Sequence, residues 1–375
     1  MAELKVEVCK IEKVEHHPNA DRLDIVTVKG WNCIVGRGAY TPDSLCVYIP
    51  IDSILPEDLE AKIFEGAKVK LSNHRVRTIK LRGVISQGLV VSLNTIEEYE
   101  ISNKGNLWLP TIYTVGMDMT KRLGITKWEP PAEPVSFQGN KTARRHQHPD
   151  FIKYTNINHL KNYPNAIEPG ENVVVTEKIH GTNFRCGWLP TKPRTLWAKL
   201  LKFLKLTPEY EFVYGSHNIQ LQDGSKKQFY TENVYSQIIN KYDLKAKLRG
   251  MPNKIFFGEI FGPGIQKGYA YGRVDIEVVF FDIYDVKDGR YLDYYDFKAD
   301  CRQLGLNKTP VRQIGPWHPD YVSFLENMPS LLGDQKYHEG FVVRTLTETN
   351  RHCGRVVLKH INPEYLLRKD NTEWH

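Results

Sequence analysis

The chain has 375 residues, 41% of them hydrophobic and 25% charged, an ordinary globular composition that excludes a fibrous or low-complexity protein. That length supports about two domains, each large enough for its own core. A formal charge of +7 and a pI near 8.9 point modestly to a polyanionic partner.

The six cysteines, Cys9, Cys33, Cys46, Cys186, Cys301 and Cys353, include no pair at zinc or redox spacing. A chain of this size needs no disulfide staples, so a reducing, intracellular setting, cytoplasmic or nuclear, is expected. Met1-Ala2-Glu3-Leu4-Lys5 begins no signal peptide, and no apolar run approaches the length of a membrane span. No membrane partner is therefore expected, and the chain is expected to be a monomer.

Residues 1 to about 130 read as short strands separated by turns. Leu23-Asp24-Ile25-Val26-Thr27-Val28 alternates loosely, and Cys33-Ile34-Val35 and Leu45-Cys46-Val47-Tyr48-Ile49-Pro50 follow at regular spacing. Such spacing predicts a small barrel or sandwich. The segments His17-Pro18-Asn19-Ala20-Asp21-Arg22-Leu23 and Lys80-Leu81-Arg82-Gly83-Val84-Ile85-Ser86-Gln87-Gly88-Leu89 resemble the OB-type tRNA-binding modules attached to some synthetases. The resemblance implies an OB-like β-barrel, a fold that binds single strands through a basic groove and stacking aromatics. Lys68, Lys70, Arg75, Arg77, Lys80 and Arg82 lie between Gly66 and Gly83 with no acid among them. Strand alternation would put several on one face to follow phosphates; otherwise they guard a solvated edge strand.

Glu129-Pro130-Pro131-Ala132-Glu133-Pro134 stops regular structure and leads into a polar, basic stretch, so residues 131–150 are expected to be a linker. His146 and His148 lack a carboxylate or cysteine to complete a metal set. The domains expected are thus 1–130 and 151–375.

In the second domain, Val173-Val174-Val175-Thr176-Glu177-Lys178-Ile179-His180-Gly181-Thr182-Asn183-Phe184 presents Lys178 at the end of a β-branched strand, beside a glycine turn. Farther on, Leu196 to Leu206 has apolar residues at helical spacing and lysines at every third position. Such a helix either docks an insertion onto its domain or lies on a membrane or a phosphate backbone. Four more segments set charges inside apolar strands. They are Lys254 to Gly262 around Glu259, Val278 to Asp285 around Asp282, Glu339 to Arg344, and Arg355 to Ile361 around Lys359. Unpaired charge is costly to bury, so a shared site neutralising phosphate and metal accounts for all of them together.

This ordered set resembles the covalent nucleotidyltransferases, and Lys-x-His-Gly-x-Asn-Phe is similar to the RNA ligases in particular. The resemblance covers roughly residues 150 to 370. It implies an α+β fold, an N-terminal OB-like β-barrel followed by an antiparallel-sheet adenylyltransferase domain. It also implies Lys178 as nucleophile, Glu259 on the ribose hydroxyls, Phe281 stacked on the base, Glu177 near the base edge and Asn183 near the phosphates. Glu339 would contact metal, with Asp282 a second candidate, and Lys359 would meet the α-phosphate. ATP with magnesium or manganese is the implied cofactor set, and RNA, as a nicked duplex or an RNA/DNA hybrid, the implied partner.

Two departures stand out. His217 occupies the place in Tyr214-Gly215-Ser216-His217-Asn218 where the family often has arginine, and Ile361 stands where a second lysine often follows Lys359. A capping guanylyltransferase and a non-catalytic tRNA-binding protein are the competing readings. The expected role is sealing of 3′-hydroxyl/5′-phosphate nicks in RNA repair through a lysyl-AMP.

Overall fold

In Leu23–Val28 the side chains of Val26 and Val28 enter the core while Leu23, Ile25 and Thr27 are half-buried, as a period of two requires. This strand pairs antiparallel with Lys13–His16 and with Trp31–Gly36. A second three-stranded sheet joins Glu7–Lys10, Leu45–Ile49 and Leu89–Ser92, and Thr78–Leu81 folds back on Val84–Gln87. The computed structural model describes residues 4–67, 70–104, 112–128, 147–192, 196–221, 234–266, 269–333, 335 and 337–367. Most of the expected linker, residues 131–146, lies outside them, as does Lys68.

The expected OB-like β-barrel is not what forms. Among the described residues the N-terminal sheets remain separate and none closes on itself. Closure needs an unbroken backbone ladder around the whole sheet. Between Trp31–Gly36 and Val84–Gln87, side-chain bonds are made instead: Ile34 N donates to Ser86 Oγ at 3.0 Å and Cys33 Sγ to the Gln87 carbonyl at 3.6 Å. Gly88, at a φ of +116°, then redirects the chain, and a Cβ there would lie 2.5 Å from the Tyr48 ring.

The chain divides into two compact units, one of Met1–Glu133 with Leu366–His375 and the other of Pro134–Tyr365. The second is built on two sheets. The six-stranded sheet runs Gln220–Leu221, Tyr210–Gly215, Thr182–Pro190, Lys254–Phe261, Glu277–Asp285, Arg290–Tyr291, antiparallel throughout. The five-stranded sheet runs Asn158–His159, Val357–Ile361, Gly340–Thr345, Asn172–Lys178, Val311–Pro316. Its one parallel pairing is that of Asn158–His159 with Leu358 and Lys359.

Three β-branched valines start Asn172–Lys178, a composition that favours a pleated, buried strand. Val173 and Val175 join Phe341, Val343 and Trp317 in one core, whereas Val174 joins Phe184, Phe256 and Phe280 in another. The helices Val234–Lys241 and Tyr294–Gln303 add Ile238, Ile239, Phe297 and Cys301 to the latter. The architecture is α+β with several antiparallel sheets.

Candidate active site

Lys178 ends its strand opposite Gly340, which is itself opposite Ile361. That register sets Glu339, the residue before Gly340, beside the lysine: Lys178 Nζ donates to Glu339 Oε1 at 2.5 Å. The Glu339 side chain is 2% exposed, and its other oxygen is buried without a hydrogen-bond partner. His180 Nδ1 lies 4.0 Å from that oxygen. An orphaned carboxylate oxygen is expensive, and it marks where a further group can bind.

The turn after Lys178 is held from several sides. Its glycine is required sterically, since a Cβ on Gly181 would sit 2.2 Å from the Ile260 carbonyl oxygen and 2.9 Å from Glu259 Cγ. His180 N donates to the Tyr271 hydroxyl at 2.6 Å, and Gln266 Nε2 to the Gly181 carbonyl at 2.7 Å. The His180 ring meets Tyr269 and Tyr365 edge-on, each at 5.4 Å.

Thr182–Pro190 then pairs Asn183 directly with Glu259, so both share one face of the six-stranded sheet. Burial, opposed by the Lys178 charge and helped by that of Glu339, pushes the Glu259 carboxyl up to about 8. Glu259, Lys178 and Glu339 therefore feel one another's charge. Asn183 Oδ1 is buried without a partner. A bulge between Phe257 and Gly258 leaves Phe281 as the extra residue opposite them, two positions beyond Val279, the partner of Glu259. Phe281 is thereby set on the Glu259 face, half-buried and edge-on to Tyr154 at 4.9 Å. Lys359 lies in register with Val342, and Val342 with Thr176, two residues before Lys178. Alternation puts Lys359 and Lys178 on the same face of the five-stranded sheet.

Two expected site residues are not brought there by their side chains. Alternation sends Glu177 to the opposite face from Lys178, where it is 1% exposed. It accepts from Arg312 Nη2 at 2.9 Å, Ser330 Oγ at 2.6 Å and Leu331 N at 2.7 Å. Asp282 is engaged by Arg344 Nη1 at 3.1 Å, Arg355 Nη2 at 2.6 Å and the Tyr154 hydroxyl at 2.9 Å. Burial alone would raise its carboxyl, but the two arginines outweigh it and hold the group below the usual carboxylate range. That carboxylate has two cations already, which leaves it unsuited as a metal ligand. Among the described residues no cluster of three or more His, Cys, Asp or Glu side chains could hold a metal. A cation at Glu339 would draw its other ligands from phosphate and water, which suits magnesium or manganese.

Sequence reasoning also passed over Arg312, Ser330, Tyr271 and Arg185. The last is fully buried and donates to the Phe151, Ile152 and Ser216 carbonyls. Burial, together with the charges of Arg185 and Lys153, lowers the affinity of His217 for its proton. The arginines in the strand segments were the available signal for Asp282, because a guanidinium buried in a strand needs an acid.

The basic run of the N-terminal unit divides. Arg75 is 3% exposed, paired with Asp52 at 2.5 Å, and stacked 3.4 Å from the Trp128 ring centre. It belongs to the interior and not to a groove, whereas Lys70, Arg77, Lys80 and Arg82 are exposed. The two OB-resembling segments meet: His17 Nε2 lies 3.1 Å from the Leu81 carbonyl, and Asn19 Nδ2 donates to that of Arg82 at 2.9 Å.

A family model described as an OB-fold domain matches residues 5–93. Another, described as RNA ligase, matches residues 171–361, just over half of the chain. The chain belongs to the RNA ligase family and is an RNA-ligase enzyme. Its fold is similar to that of a Naegleria gruberi RNA ligase mutant solved with ATP and manganese (TM-score 0.72, 22% identity, 98% of this chain and 99% of that one). The same ligase with pyrophosphate gives a TM-score of 0.69 at 22% identity, over 97% of this chain and 98% of that one. Phenylalanine–tRNA ligase beta subunit of Clostridium tetani is 28% identical over 116 residues; these are 31% of this chain and only 13% of that subunit.

Proposed function

We propose that this enzyme uses ATP to seal 3′-hydroxyl/5′-phosphate nicks in RNA-containing duplexes through a lysyl-AMP on Lys178. The observation that carries the reading is the Lys178–Glu339 contact at 2.5 Å with Glu259 in electrostatic reach. In the first step Lys178 Nζ bonds to the α-phosphorus of ATP as the bond to pyrophosphate breaks. AMP then passes to an RNA 5′-phosphate, and a 3′-hydroxyl finally displaces it. Glu259 and Asn183 would orient the nucleotide, Phe281 would stack on its base, and Lys359 would balance phosphate charge.

Glu339 holds Lys178 Nζ at 2.5 Å, and only the neutral amine attacks. Glu339 thus positions the nucleophile. A divalent cation bound by the free Glu339 oxygen and by phosphate would supply positive charge at the α-phosphate.

We assign RNA holding to residues 1–130 and adenylation to residues 151–375. The six cysteines are free and buried, which supports a reducing, intracellular setting. The test is incubation with labelled ATP or GTP. Covalent label from ATP alone is expected, with none in Lys178→Ala or Lys178→Arg, since guanidinium is not deprotonated in proteins. Label from GTP alone, or normal label in either variant, would refute the assignment.

A further inference from the structure

Between the strands Thr182–Pro190 and Tyr210–Gly215 the chain carries an insertion with a short helix, Leu196–Phe203. Leu206 N donates to the Leu201 carbonyl at 2.9 Å across Lys205, whose φ is +54°. This is a left-handed helix cap, and it carries the apolar run one turn beyond the helix proper.

A helix that docked the insertion onto its domain would bury its apolar side. Here that side is open: Trp197 is 69%, Phe203 83% and Leu206 69% exposed, and Leu200 and Leu204 are exposed as well. At 100° per residue, positions 197, 200, 203 and 204 fall within one arc of the helix. An exposed apolar patch of this kind marks an interaction surface. From Lys199 to Leu206 the sequence also has three lysines, Lys199, Lys202 and Lys205, and no acid.

We propose that this helix binds in the plane of an anionic phospholipid surface. Trp197, Phe203 and the leucines would enter the boundary between headgroups and acyl chains, with the basic residues near headgroup phosphates. Charge decides against the other occupants. A second copy would bring lysines against lysines. RNA would suit the basic residues but would set Trp197, Phe203 and Leu206 against a hydrated polyanion. A single in-plane helix of this length gives peripheral, reversible attachment. It involves none of the residues around Lys178 and stands apart from the adenylation reading.

Each basic residue near such a surface contributes roughly fivefold to partitioning, and the contribution is screened by salt. The test is co-sedimentation of the full chain with vesicles of phosphatidylcholine alone or mixed with phosphatidylserine. Binding is expected on the mixed vesicles only, weakening with salt and falling on the order of tenfold or more in Trp197→Glu/Phe203→Glu. Both positions are solvent-exposed, so the variant should melt as the parent does by circular dichroism. Failure to sediment, or equal sedimentation on both vesicle types, overturns the proposal. So does a variant that keeps vesicle binding but loses affinity for nicked RNA, or loses self-association by light scattering.

Discussion

Glu339 and Glu259 both feel the charge of one lysine, yet their environments differ. Glu339 has one oxygen on Lys178 and the other without a partner. Glu339→Ala should therefore lose lysine adenylation while still sealing a pre-adenylated RNA nick to a residual level, and gel assays of the two reactions separate the effects. Full adenylation by this variant would remove Glu339 from the site. Glu259 carries a carboxyl raised to about 8 from an ordinary value of 4.5. Between those values the folded chain keeps a proton that the unfolded chain gives up, so folding stability falls as pH rises through that window. Glu259→Gln has no such proton to lose. Its melting temperature should match the parent near pH 5 and exceed it near pH 9, and a pH-independent difference between the two would contradict the raised carboxyl.

Alternation within single elements separates residues that are adjacent in sequence. Along Asn172–Lys178, Lys178 turns to Glu339, while Glu177 turns to Arg312 on the other face. The basic run behaves likewise. Arg75 is interior and Arg77, Lys80 and Arg82 are not. Arg75→Ala would leave Asp52 buried without its cation and should cost about 3–5 kcal/mol in denaturant unfolding. Charge reversal at Arg77, Lys80 and Arg82 should leave stability within roughly 0.5 kcal/mol but weaken binding of nicked RNA. If Arg75→Ala unfolds like the parent and weakens RNA binding instead, the residue belongs to the groove after all. The β-branched run and the glycine turn made the strand and its terminal lysine legible in advance. The direction of each charged side chain was not, because it depends on which partner strand lies alongside.

At the scale of the whole molecule, the N-terminal cores draw on residues 4–125, and those of the second unit on residues 151–358. A chain lacking residues 1–130 should still form the Lys178 adduct, since the residues gathered there all lie beyond 170. Nick sealing should fall, and the defect should deepen with salt as phosphate contacts weaken. Sealing equal to that of the full chain across a salt series would deny the N-terminal unit any part in holding RNA. The local residue pattern carried the order of Lys178, Glu259, Glu339 and Lys359 and the strands that bear them. Buried charges inside apolar runs demand a common partner, and that demand is local and readable. Who the partners are came from the packing of distant segments: Asp282 goes to Arg344 and Arg355, and Arg75 to Asp52. Among the described residues that packing also left the N-terminal sheets open and Trp197 and Phe203 exposed. Ladder closure and side-chain pairing depend on the register between distant segments, which the local pattern of residues does not encode.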